Sequence, residues 1–159
     1  MQFRAEEYYR AALEGMRQAH EIYKDGEAFA LCMYCAGLAV ECLLRAFRWK
    51  RERTFEGRHD LEVLLHASRL LQIDDDLMRR RGESDDAVQA SGRELRGNMN
   101  EVIVLWHNNL RFASEARLKA FLKGIDRVKG IKGDPRKKNA RDLLNAAQAV
   151  IDRGIVLWT

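Results

Sequence analysis

The segment AFALCMYCAGLAVECLLRAF, residues 28–47, constrains the fold most, because it is apolar nearly all the way round a helical wheel. A helix without a polar face is buried on most of its sides, so a helix over roughly Glu27 to Trp49 belongs at the centre of the domain. Gly37, flanked by Ala36 and Ala39, leaves space there for a close neighbour. Glu41 is the only acid inside this stretch, and a carboxylate in such a place needs a partner. The expected role of Glu41 is structural rather than catalytic: a buried pair with an Arg, or a hydrogen bond to a Tyr of a neighbouring helix. The uncharged run from Ala28 to Val40 is too short to span a bilayer and is closed by Glu41. The opening residues MQFRAEEYYR are charged and amphipathic, unlike a signal peptide. The three Cys, an odd number, suit a reducing compartment, so the expected location is cytoplasmic with no membrane partner.

The rest of the chain reads as helices packed around that centre. Ala5, Tyr9, Ala12, Met16, Ala19 and Tyr23 step by four and three, an apolar stripe ended by Lys24-Asp25-Gly26. A charged connector, Lys50 to Arg58, leads to a third helix with Leu61, Leu64, Leu65 and Leu71 inward. Ile73 to Asp86 reads as a polar insert, a short helix and a turn. A long helix is expected from about Asp85 to Arg111, holding Val88, Leu95, Met99, Val102, Ile103, Trp106 and Leu110 in register. Ser114 is a plausible N-cap for a short helix over Glu115 to Lys123, and Pro135 suits the first turn of the last helix. With 159 residues, one Pro and few β-branched residues, the expectation is a single all-α domain, 1–159. Its architecture is an antiparallel up-and-down bundle.

Several residues carry possible chemistry. Cys32 and Cys35 have Cys-x-x-Cys spacing, but Cys42 lies two turns on, about 10 Å along a helix. No other Cys or His pair completes a site, so no metal and no cofactor are expected and the thiols read as core filler. His59 follows Arg58 at the mouth of the third helix, where Asp60 can cap. His107 and Arg111 are four apart, on one face if the long helix continues. An imidazole beside a guanidinium suits a phosphodiester, one moving a proton and the other holding the phosphate; a solvated or structurally paired duo fits the same spacing. Among the basic runs, Lys129, Lys132, Arg136, Lys137 and Lys138 against Asp134 form the best candidate for phosphate contacts. The net charge of +4 allows a polyanion partner without demanding one.

In order, these pieces resemble the HEPN family of helical nucleotide-binding domains. The likeness rests on AGLAVECLLRAF (Ala36 to Phe47) with Glu41, on GRHDLEVLL (Gly57 to Leu65), similar to the family's Gly-His-Asp-Leu helix start, and on NNLRFAS (Asn108 to Ser114). That last segment is similar to a Thr-Arg-Tyr-Pro block, with Phe112 in place of Tyr and Ala113 in place of Pro. The resemblance covers a core of about 5–123 and implies that the C-terminal helix, at about 135–158, is an addition to the family's bundle. It also implies a homodimer that binds a nucleotide or RNA, or docks a partner such as a nucleotidyltransferase, as in toxin–antitoxin and defence systems. Arg58, His59, Asn108, Lys137 and Lys138 would be its nucleotide- or RNA-binding residues. The alternative it implies is a metal-independent ribonuclease using His107 and Arg111. Active members carry an Arg, a polar residue and then a His four to six residues after the Arg. This chain departs from that order: Arg53 and His59 fit the spacing but lie before the third helix, and in the expected helix His107 precedes Arg111.

Overall fold

The computed structural model describes residues 3–53 and 58–159; Gly57 of the GRHDLEVLL segment and residues 54–56 of the connector lie outside the described residues. Among these, the chain forms helices α1 (Ala5–Asp25), α2 (Phe29–Glu52), α3 (Leu61–Ser68), α4 (Leu70–Arg80) and α5 (Asp85–Leu105). A 3-10 helix (Asn108–Phe112), α6 (Glu115–Gly124) and α7 (Pro135–Leu157) complete it, with no strand among the described residues. The fold is all-α, a helical bundle.

The apolar stripe of α1 buries Ala5, Ala12, Met16 and Ala19. Gly26, at φ 74°, then takes the left-handed conformation that lets the chain reverse. The two helices of this hairpin approach closely: a Cβ on Gly15 would stand 3.4 Å from that of Ala39. Tyr23 meets Phe29 at the turn, so α1 and α2 are antiparallel. Although α2 is long and apolar enough to cross a membrane, most of it is buried, and it is the core helix of the bundle.

The last helix is central rather than appended. α7 packs against α2, α5 and α1, and contributes Leu143, Leu144, Ala147, Val150 and Ile151 to the core. It runs parallel to α2, since Gly154 faces Leu43 and Trp158 faces Phe47. Gly154 is a contact notch, because a Cβ there would come within 2.5 Å of the Leu43 side chain. Trp158 stacks on Tyr9 at 4.6 Å, and the Lys50 ammonium lies 4.4 Å over its ring. On the far side, Asp74 of α4, fully buried, accepts from Ser91 of α5 at 2.8 Å and pairs with Arg153 of α7. The helical hairpins α1–α2 and α4–α5 are thus joined through α7.

Two boundaries differ from the sequence reading. The third helix breaks at Arg69, whose φ of 55° separates α3 from α4. The long fifth helix ends at Leu105, six residues before Arg111, because Trp106 leaves the helix with extended backbone (φ −104°, ψ 138°). Its indole fills the space above Gly37, where a Cβ would overlap the ring at 1.9 Å, and its Nε1–H donates to the Tyr34 carbonyl at 3.1 Å. Tertiary packing outweighs the apolar periodicity that continues through Leu110.

Candidate functional site

Glu41 sits on α2 at 2% exposure, and Arg45, one turn on, at 7%. The Arg45 Nε–H donates to Glu41 Oε1 at 2.8 Å, and Nη2–H donates to the carbonyl of Arg58 at 2.8 Å. The Arg partner expected for Glu41 is therefore on its own helix. A second partner comes from the entrance to α3: His59 Nδ1 lies 2.9 and 3.1 Å from the two Glu41 oxygens. Asp60 then accepts from the Val63 amide at 3.1 Å, capping α3. Three consecutive residues are thereby fixed, Arg58 by its carbonyl, His59 by its ring and Asp60 by its carboxylate. Tyr8 of α1 is held above its ordinary range by burial, with Arg45 opposing and Cys42 and Glu41 adding to the rise.

A carboxylate only accepts hydrogen bonds, so His59 Nδ1 is the donor and, in the neutral ring, Nε2 is left as an acceptor. His107 has the opposite arrangement. It stands at the N-cap of the 3-10 helix, where its Nδ1 accepts from the Asn109 amide at 3.1 Å. The neutral His107 ring therefore carries its proton on Nε2 and presents a donor.

The two imidazoles share one shallow cavity of about 230 Å³, between the start of α3 and the junction of α5 with the 3-10 helix. Its walls include His59, Asp60, Glu62, Trp106, His107 and Asn108. Asn108 Oδ1 is sealed from solvent with no donor among the described residues. The cavity thus presents an acceptor on His59 and a donor on His107, while the Asn108 oxygen lies beneath its surface.

The remaining candidates lie elsewhere. Arg111 does not share an α-helical face with His107, because α5 ends before both; it is exposed, with its guanidinium 4.5 Å over the Phe112 ring. Arg58 adjoins the cavity through the chain without being part of its wall. Lys137 and Lys138 stand in the first turn of α7, away from the cavity lining, and Lys138 pairs with Asp142. The basic segment neutralises part of its own charge: Arg136 pairs with Asp134 at 2.8 Å and holds that carboxyl below its usual range through their hydrogen bond. Arg127 grips Glu101 with two bonds, of 3.0 and 2.7 Å.

The thiols are poor nucleophiles. Burial pushes Cys32 up to about 12 and Cys42 to about 11, and raises Cys35. Among the described residues no group of three or more His, Cys, Asp or Glu is arranged to hold a metal ion. What sequence reasoning missed is the link from His59 to Glu41. Glu41, alone on an apolar helix, signalled a missing partner, and the GRHDL segment held it. No family model, curated protein or solved structure matches this chain.

Proposed function

We propose that this chain is a HEPN-like helical module that binds RNA or a nucleotide at the cavity between α3 and the α5 junction. The observation that carries this reading is the pair of imidazoles on one concave surface, tied so that one presents an acceptor and the other a donor. A donor beside an acceptor is the pattern found along a nucleobase edge. Arg58 precedes His59 and adds a cation for the phosphate. A homodimer goes with this reading. Phe112, 76% exposed next to the site, is the apolar contact a second copy would cover, with a nucleotidyltransferase as the other partner the resemblance implies. A cytoplasmic location belongs to the same proposal.

The test is titration of fluorescent single-stranded RNA and of adenine nucleotides in EDTA, with His59→Ala and His107→Ala beside the parent protein. Binding should weaken with salt and fall in both variants. Equal binding by parent and variants would place any affinity elsewhere and end this reading.

A second reading is metal-independent RNA cleavage, favoured by one feature: a buried carboxylate holds His59 in the tautomer a general base needs. In that case His59 takes the 2′-hydroxyl proton, the 2′-oxygen attacks the adjacent phosphorus, and His107 protonates the departing 5′-oxygen. This replaces the pairing of His107 with Arg111. Cleavage that survives EDTA and vanishes in either His variant supports it; intact RNA at high protein concentration leaves the binding module.

A further inference from the structure

A second cavity, larger than the one with the histidine pair, lies apart from it. It has a volume of about 890 Å³ and opens on the other side of α3, toward α4 and α5, sharing only Glu62 with the smaller one. Its apolar surface comes from Val63, Leu65 and Leu71, and its cationic and titratable groups are His66, Arg69 and Arg96. Val63 is 40% exposed, a large apolar side chain facing solvent where the cavity opens. The side chains of His66, Arg69 and Arg96 make no hydrogen bond or ion pair with another described residue. Two guanidiniums against the single carboxylate of Glu62 leave the rim positive.

Arg69 makes the arrangement more specific. It is the break between α3 and α4, at φ 55°, a left-handed conformation that Gly or Asn adopts at least cost. An Arg there is unfavourable for the backbone, yet its side chain lines the cavity instead of pairing with a neighbouring acid. Some exposed Arg are neutralised locally, as Arg79 with Asp75 and Asp85, or Arg136 with Asp134. Here two unpaired guanidiniums lie beside an apolar floor.

We propose that this cavity binds an organic anion with an apolar body, the carboxylate or other acidic head between Arg69 and Arg96 and the hydrocarbon on Val63, Leu65 and Leu71. Arg forks pair with such heads in two-point geometry, and the apolar surface beside them favours a ligand over free phosphate. His66 supplies a further donor at the rim. The inference stands apart from the nucleotide reading, because it uses different residues and a different ligand class.

The experiment is amide chemical-shift mapping of the intact chain with four probes: octanoate, 2-naphthoate, octylammonium and inorganic phosphate. Octanoate or 2-naphthoate should move the amides of residues 62–72 and 96 and saturate; which binds tighter tells a chain-like from a ring-like body. Octylammonium has the same body as octanoate and the opposite charge, and should bind at least about tenfold more weakly; phosphate should shift nothing in that region. The variant Arg69→Asn, Arg96→Gln keeps a residue tolerated at positive φ and removes both charges. Its folded spectrum should persist while the dissociation constant for the anions rises about tenfold, the product of two few-fold contributions from exposed groups. Equal affinity for octanoate and octylammonium, unchanged affinity in the double variant, or shifts centred on His59 and His107 instead would each overturn the proposal. RNA binding by the same double variant, measured in parallel, keeps this outcome distinct from that of the histidine cavity.

Discussion

The two histidines reach the same cavity by different physical means. His59 is held by charge: Glu41 grips its ring, and Arg45 holds both Glu41 and the backbone of Arg58. His107 is held by shape: Trp106 drops into the notch above Gly37, ends α5 and swings the next residue to the rim. The charged anchor depends on each member having its partner, since an unpaired ion in a buried site costs more than the pair contributes. The packed anchor depends on volume alone, and a single methyl group at residue 37 is enough to break it. One surface can thus carry two groups whose positions fail under different perturbations.

Trp106→Ala is expected to have the largest effect. Loss of a buried indole costs about 4 kcal/mol, read as a lower urea midpoint, and frees the 3-10 helix. His107 should lose its hydrogen bond to Asn109 while the imidazole nitrogen shifts of His59 stay in place. Gly37→Ala should mimic it, because the new Cβ and the indole cannot occupy the same space. If both rings move together in either variant, the two anchors are one unit.

Glu41→Ala comes next, at about 3 kcal/mol, because it leaves Arg45 buried without its carboxylate. Here His59 should lose its fixed tautomer and His107 keep its own. Replacing the pair together, Glu41→Leu with Arg45→Met, should recover most of the stability but not the orientation of His59. Recovery of both would make the charged anchor a packing anchor. Asp60→Ala, which removes the cap of α3, should cost about 1 kcal/mol and loosen the His59 side alone.

The smallest effect lies outside both anchors. Asp134→Asn keeps a residue able to cap α7 and removes the ion pair with Arg136, so a few tenths of a kcal/mol is the expected loss near neutrality. The folded-state value of this carboxyl is depressed from 3.8. Its stabilisation is therefore present above that value and is lost as pH falls through the lower, folded one. Melting curves of parent and variant should converge in acid; a gap that persists there would mean that Asp134 acts by geometry and not by charge.

What the sequence made legible follows the same division between local and distant causes. The stripe of α1, the turn at Gly26, the caps at Asp60 and Ser114 and the start of α7 at Pro135 are set by neighbours a few residues away. Gly37 could be read as a notch, but not what fills it. The end of α5 was hidden because Trp106 and Leu110 continue the apolar register and no Gly or Pro interrupts it. The centrality of α7 was hidden as well, since an amphipathic pattern says which face is buried and not how many helices cover it. Ala140, Ala147 and Gly154 were its trace in the sequence, small residues where helices approach closely.

The place of α7 has a consequence for how the molecule is made. The helix that joins the two hairpins is the last of the described helices to be synthesised, so the faces of α2 and α5 that it covers stay open while the two hairpins are already made. The side of α2 that packs on α7 is then open to chaperones and to other nascent chains until Trp158 reaches Tyr9 and Phe47. Closure joins segments far apart along the chain, which makes it the slow, high-contact-order step of folding. A codon pause or a substitution that delays α7 would lower the yield of folded protein without touching either histidine.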